Sequence, residues 1–269
     1  MARSSPSLAL VVLAFGFAAA AAALVLPSPG EGGSTAPERR PDLVQRTPSD
    51  VRTRETSRGF LIGFDSAVEN HGDGPLRVNG RRFSGQRDMT ADQLIKRTDG
   101  SVARIRGIGT IRYTHSGGHD HWHHLFFDRY ELRRASDHRL VRPDRKTGFC
   151  LGDRYDSDRS FASKPPRAVI TGSCLLHEPG ARSVAMGISV GYGDDYRAYL
   201  EGQSIDVTSL PAGRYELVHR VNGNRRLRET RYSNNAASVL VRLSWPNGSD
   251  DRPAVDVLKR CPGRGRCLL

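Results

Sequence analysis

Residues 117–125 read Gly117-Gly118-His119-Asp120-His121-Trp122-His123-His124-Leu125, the densest run of metal-ligating side chains in the sequence. On an extended strand, side chains at i, i+2 and i+4 share a face. His119, His121 and His123 are therefore expected on one side, with Asp120, Trp122 and His124 on the other. Same-face neighbours stand about 7 Å apart along a strand. Ligands of one ion crowd closer, so a kink or loop at Gly117-Gly118 is expected to draw the imidazoles together. Neutral imidazole suits copper, zinc, iron or nickel. With no thiolate and no carboxylate at a fixed spacing beside them, copper is favoured slightly. His115 and His124 are near enough to compete as ligands. His71, His138, His177 and His219 are isolated and are read as non-ligands.

The elements that must carry this run are short. Phe60, Leu61, Ile62, Phe64 and Val68 form an apolar stretch that ends in the turn cluster Asn70-His71-Gly72-Asp73-Gly74. Similar segments follow at Ala103 to Tyr113, Leu125 to Leu132, Ala168 to Ser173, Ser183 to Val190, Ser204 to Val207, Tyr215 to Asn222 and Ala237 to Leu243. Several alternate apolar with polar residues, as half-buried strands do. One short helix is expected from Ala91 to Lys96, capped by Thr90. The sum is a mainly β fold: a single antiparallel, β-sandwich-like domain over residues 59–260, with long loops and little helix. Strands do not alternate with long helices, which excludes a doubly wound α/β fold. No internal repeat is present.

Ahead of that domain, Arg3 and an apolar run from Leu8 to Leu26 precede Pro27-Ser28-Pro29-Gly30. This is the layout of a signal peptide, or of an uncleaved N-terminal membrane anchor, over residues 1–26. Both place the rest of the chain in the cell envelope or outside the cell. Residues 27–58 carry Pro, Gly, Ser, Thr, Arg and Glu with few apolar side chains, and read as a disordered linker. Cys150, Cys174, Cys261 and Cys267 are an even set in an exported chain. Of the three possible pairings, the local one is expected: Cys150 with Cys174, and Cys261 with Cys267 in a C-terminal tail over residues 261–269. No paired C-x-x-C spacing suggests structural zinc. The formal charge of +12 is spread along the chain as arginine. Without a basic helix, an aromatic-interleaved RNA motif or a zinc finger, it points to no specific nucleic acid.

The histidine run, followed by Phe127-x-x-Tyr130-x-Leu132, resembles the copper-binding strand of lysyl oxidases, especially bacterial relatives. Lys146-Thr147-Gly148-Phe149-Cys150-Leu151-Gly152-Asp153 is similar to that family's segment bearing the cofactor lysine. Gly191-Tyr192-Gly193-Asp194-Asp195-Tyr196 is similar to the segment bearing the cofactor tyrosine. Gln203-Ser204-Ile205-Asp206-Val207, Pro211-Ala212-Gly213-Arg214-Tyr215 and Tyr232-Ser233-Asn234-Asn235 follow in the family's order. The likeness covers roughly residues 59–243. It departs from the animal enzymes in being one residue shorter between His123 and Tyr130, in having Arg129 where they carry a histidine, and in having fewer cysteines.

The resemblance implies copper(II) on His119, His121 and His123, and a lysine tyrosylquinone built from Lys146 and Tyr196. Tyr192 is the rival tyrosine; the distance in sequence from Tyr196 to Gln203 fits the family pattern. The implied reaction oxidises a primary amine, peptidyl-lysine or similar, with molecular oxygen. It yields an aldehyde, ammonia and hydrogen peroxide. Asp194 is the expected base and Asp206 the alternative, although an Asp beside a strand more often organises a turn. The basic surface suits a lysine carried in an acidic polymer or protein, or a locally acidic active-site mouth. Glu229-x-x-Tyr232-Ser233-Asn234-Asn235 reads as a hydrogen-bonded turn. Two other functions compete: a non-catalytic extracytoplasmic copper- or zinc-binding β domain, indifferent to Lys146 and Tyr196, and a basic cell-envelope interaction module.

Overall fold

Strands form here from side chains that alternate between inside and outside, and the fifth strand shows it best. From Met89 to Lys96 the odd-numbered residues Met89, Ala91, Gln93 and Ile95 are buried, while Thr90 and Lys96 are exposed. The helix expected over Ala91 to Lys96 is thus a strand. A period of two fixes one apolar face towards the core, which a period of 3.6 would scatter. Gln93, buried in that face, exchanges hydrogen bonds with the Arg228 backbone: its Nε2 donates to Arg228 O, and its Oε1 accepts from Arg228 N.

The computed structural model describes residue 1 and residues 35–115, 120–144, 146 and 148–268. Among these, sixteen strands form and no helix does. The architecture is mainly β and antiparallel, as expected, and is arranged in three sheets. In the first sheet β1 (Leu43–Gln45), β2 (Ser49–Thr56) and β13 (Ser204–Asp206) all pair with the long β3 (Gly59–Asn70). The same β3 pairs with β12 (Tyr192–Tyr196), and β12 pairs with β10 (Tyr155–Asp156). The second sheet runs β11 (Ser183–Ile188), β4 (Leu76–Arg81), β5 (Met89–Lys96), β6 (Val102–Thr114) and β7 (His121–His124). The third runs β16 (Ala254–Cys261), β15 (Ala236–Ser244), β14 (Gly213–Val221), β8 (Asp128–Arg134) and β9 (Leu140–Pro143). Among the described residues, Trp122, Tyr130, Phe64, Phe127 and Phe149 are the largest fully buried side chains.

Two boundaries move. The stretch read as a linker contains β1 and β2, and the compact unit begins at Ala36. Few apolar residues suffice there because β1 and β2 are held by backbone pairing to β3, and Leu43 carries the buried contact. Residues 168–173, read as a strand, have no regular structure. The signal or anchor segment at 1–26 lies outside the described residues after Met1. No helix among the described residues is long and apolar enough to cross a membrane.

The turn following β14 clamps the start of the domain. Glu229 Oε2 accepts from Leu43 N at 2.9 Å, while its Oε1 accepts from Asn222 and Asn235 side chains at 2.6 Å each. Asn234 Nδ2 and Arg231 Nη2 donate to the Asp42 carboxylate at 2.9 Å. The Glu229–Asn235 motif is therefore a hydrogen-bonded structural turn. Both expected disulfides form, Cys150–Cys174 and Cys261–Cys267.

Candidate active site

Strand β7 is the last strand of its sheet. Its inner edge pairs with β6, with His121 opposite Thr114 and His123 opposite Arg112. Its outer edge is closed by loop backbone. His124 and Phe149 exchange hydrogen bonds (N to O 2.8 and 3.0 Å), and Trp122 N donates to Cys174 O at 3.0 Å. Both contacts come from the segment that the Cys150–Cys174 disulfide bridges or from its immediate neighbour.

Alternation along β7 sends Trp122 and His124 into the core and His121 and His123 to the other face. The two ligand candidates converge: their Nε2 atoms are 2.7 Å apart and their ring centroids 4.5 Å. Around one ion with metal–nitrogen bonds of about 2.0–2.1 Å, two nitrogens at a right angle lie about 2.9 Å apart. The pair fits that demand. His123 Nδ1 meets Thr114 Oγ1 at 3.1 Å, the kind of outer contact that fixes the ring orientation and tautomer of a metal-binding imidazole. His119 lies outside the described residues, so the third imidazole carries no geometry here. His115 turns to Asp120, its Nδ1 3.3 Å from Oδ1. His124 is buried, with neither ring nitrogen hydrogen-bonded to the described residues, and burial lowers its pKa to about 4. A ring so placed is on the wrong face to join His121 and His123. Of the histidines read as non-ligands, His219 bonds Ser66 Oγ at 3.1 Å, His71 bonds Glu69 at 2.8 Å, and His138 bonds Glu216.

One loop links this strand to the tyrosine. Gly148 packs so closely on β7 that a Cβ would fall 2.8 Å from His123 Cβ and 3.0 Å from His124 O, so only glycine fits without displacement. Two residues earlier, Lys146 is buried, with Nζ donating to Glu201 O at 3.1 Å. The same Nζ lies 4.6 Å from the centroid of the Tyr196 ring and 5.3 Å from that of Phe149. Phe149 in turn stands edge-on to Tyr196 at 4.9 Å. The structure thus brings together Lys146 and Tyr196, fifty residues apart in sequence. It sets Tyr192 differently, with its hydroxyl donating to Pro165 O.

The electrostatics follow from burial. Lys146 is lowered to about 8 because burial penalises its charge, against the pull of Asp194 and Glu201. Tyr196, half-buried, is pushed well up by burial and by the Asp194 carboxylate; its hydroxyl donates to Cys150 O at 3.1 Å. Burial likewise raises Asp194 well above the usual carboxylate range, opposed first by Arg154. Asp194 shares the Tyr196 face of β12, and neither of its oxygens receives a hydrogen bond from the described residues. Asp206 instead caps a turn, accepting from Thr208 N at 2.9 Å.

Sequence reading did not single out Arg154, nor bring together the buried group behind Phe149. There Ser66 Oγ donates to Asp128 and meets His219 Nδ1, each at 3.1 Å, and Gln203 Nε2 donates to the Tyr130 hydroxyl at 3.1 Å. Burial raises Asp128 to about 7. These partners come from β3, β8, β14 and the residue ahead of β13, and no local spacing announces their meeting.

Comparison with known proteins adds an independent line. The model of the lysyl oxidase family matches residues 104–245. Protein-lysine 6-oxidase of Gallus gallus is 33% identical over 130 residues, which cover 47% of this chain and 27% of that protein. The same-named protein of Sus scrofa is also 33% identical over 130 residues, covering 47% of this chain and 45% of that protein. The Homo sapiens protein is 31% identical over 130 residues, covering 47% and 27%. The matched part thus spans less than half the length of these relatives.

Proposed function

The chain belongs to the lysyl oxidase family, and from that premise we propose that it is a copper-dependent amine oxidase. Its substrate is a primary amine, peptidyl-lysine or similar. The products are an aldehyde, ammonia and hydrogen peroxide, with molecular oxygen as oxidant. The observation that carries this reading is the Lys146 amine lying 4.6 Å from the centre of the Tyr196 ring, on a loop packed against the histidine strand.

In this reading His121 and His123, with His119, hold copper(II). Lys146 and Tyr196 are the precursors of lysine tyrosylquinone, which supplies an electron sink that no unmodified side chain offers. The chain's own groups do the rest. The Tyr196 hydroxyl is held on Cys150 O, which fixes the ring against Phe149. Burial brings Lys146 close enough to neutrality to present a free amine, the nucleophilic form. Asp194, aligned with Tyr196 on β12 and with neither oxygen hydrogen-bonded to the described residues, takes the proton from the substrate carbon that bears the amine. The N-terminal apolar run and the two disulfides support an extracytoplasmic location.

The test is a mass spectrum of copper-treated, protease-digested protein, with phenylhydrazine labelling and peroxide release measured in parallel. A peptide joining residues 146 and 196, together with a hydrazine adduct, is expected. Fully metallated protein that shows neither would leave a copper-binding β domain without catalysis.

A further inference from the structure

Arg154 stands eight residues beyond Lys146 in sequence. Its backbone is tied to β12 beside the candidate base: Arg154 N donates to Gly193 O at 2.8 Å. Its side chain folds back over Gly152, where a Cβ would lie 2.7 Å from the guanidinium carbon, so the glycine makes room for it. Nη2 then donates to Gly172 O at 3.1 Å and reaches Cys150 O at 3.5 Å and Cys150 Sγ at 3.4 Å. Cys150 O is also the acceptor for the Tyr196 hydroxyl. Held this way, the guanidinium places Nε 3.7 Å from Asp194 Oδ1. That is close enough for strong attraction and too far to occupy a lone pair with a hydrogen bond.

We propose that Arg154 is a positioning residue for the amine oxidation, favouring the carboxylate form of Asp194 against the burial that opposes it, without occupying the lone pairs that take the substrate proton. The proposal rests on the amine-oxidase reading. Its physical basis is a contest inside one site. Asp194 is only 2% exposed, and an isolated carboxyl buried to that degree stays neutral. A neutral carboxyl accepts no proton. The groups that act on it are Arg154 and Lys146, which favour its charge, the Tyr196 hydroxyl on the same strand face, which does the same, and Asp195 on its own strand, which opposes it. Tyr155, on the paired strand β10, covers Gly193 next door and turns its hydroxyl to Glu69. Arg154 is the strongest of the favourable influences, and it is the one whose charge is permanent at every working pH. Lys146 loses its own charge near pH 8 and is consumed if the cofactor forms.

The experiment uses the full mature chain in two states. In metal-free protein, carbon-13 carboxyl NMR follows the titration of Asp194 in the wild type, Arg154→Gln and Arg154→Lys. In copper-loaded protein, kcat/KM for a small primary amine is measured against pH. Arg154→Gln is expected to move the Asp194 titration up by at least about one pH unit, and to move the acid limb of kcat/KM by the same amount. For each pH unit that the limb moves, activity at a fixed pH on it falls about tenfold, and the plateau at high pH is retained. Arg154→Lys, which keeps the charge, is expected to recover more than half of both changes. Unchanged Asp194 titration in Arg154→Gln overturns the proposal, as does a moved titration with an unmoved acid limb. Wild-type protein that turns over no amine sinks the oxidase reading instead, and the NMR arm still decides whether Arg154 governs Asp194.

Discussion

The Lys146 ammonium lies over the Tyr196 ring, 4.6 Å from its centroid, with both side chains held from behind: Lys146 by Glu201 O and Tyr196 by Cys150 O. This pairing separates a cofactor-forming role from metal binding. Lys146→Arg and Tyr196→Phe should each abolish the crosslinked peptide and lower peroxide production by more than about a thousandfold, because the covalent electron sink is lost. Copper content, read by elemental analysis, should stay at the wild-type level in both.

The metal strand should respond in the opposite pattern. His121→Ala and His123→Ala remove imidazoles whose Nε2 atoms meet at 2.7 Å, and should abolish stoichiometric copper binding. Thr114→Val removes only the partner of His123 Nδ1 and should weaken copper about 10- to 100-fold, read by competition with a chelator. Equal copper affinity in Thr114→Val and wild type would count against that contact fixing the ring.

Cofactor formation should depend on pH through Lys146. Burial lowers its pKa to about 8, so the free amine, scarce at pH 6, becomes the main form above about pH 8. The rate at which the chromophore appears in copper-treated protein should climb through that range and level off. Asp194 is the foremost group keeping Lys146 charged, so Asp194→Asn should move the climb to lower pH. A move to higher pH would contradict the assigned electrostatics.

Gly148→Ala should destabilise the protein by about 1–3 kcal/mol, the usual cost of overpacking, because the added carbon meets His123 Cβ and His124 O. Thermal unfolding with and without copper measures it, and the copper-bound form should lose the larger share.

The two disulfides should differ in worth. Loop-closure entropy for separations of 24 and 6 residues gives about 3.5 and about 2 kcal/mol. The pair Cys150→Ala, Cys174→Ala should therefore lower the melting temperature more than Cys261→Ala, Cys267→Ala. Only the former should also weaken copper binding.

Several of these features are legible in the sequence, for identifiable reasons. Alternation placed His121 and His123 on one face and Trp122 on the other, because that depends only on the geometry of a strand. The disulfides followed from short separations. Residues 91–96 misled because a six-residue run with alanine and a Thr cap satisfies helix rules, while its burial follows a period of two. The linker reading failed at β1 and β2 because backbone pairing to β3 leaves little trace in composition. The meeting of Lys146 with Tyr196 had no local signal and was expected only from the family resemblance. Arg154 with Asp194 had neither signal, since forty residues separate them and the contact exists only once β10 and β12 lie side by side.

The outer edge of β7 has a bearing on maturation. The strand that carries the imidazoles is completed by backbone from Phe149 and Cys174, segments that the thiols of Cys150 and Cys174 tie together once they are oxidised. Biogenesis should therefore run in a fixed order, with thiol oxidation first and metal capture afterwards. Chains kept reduced while copper is offered, then oxidised, should retain less metal than chains treated in the reverse order.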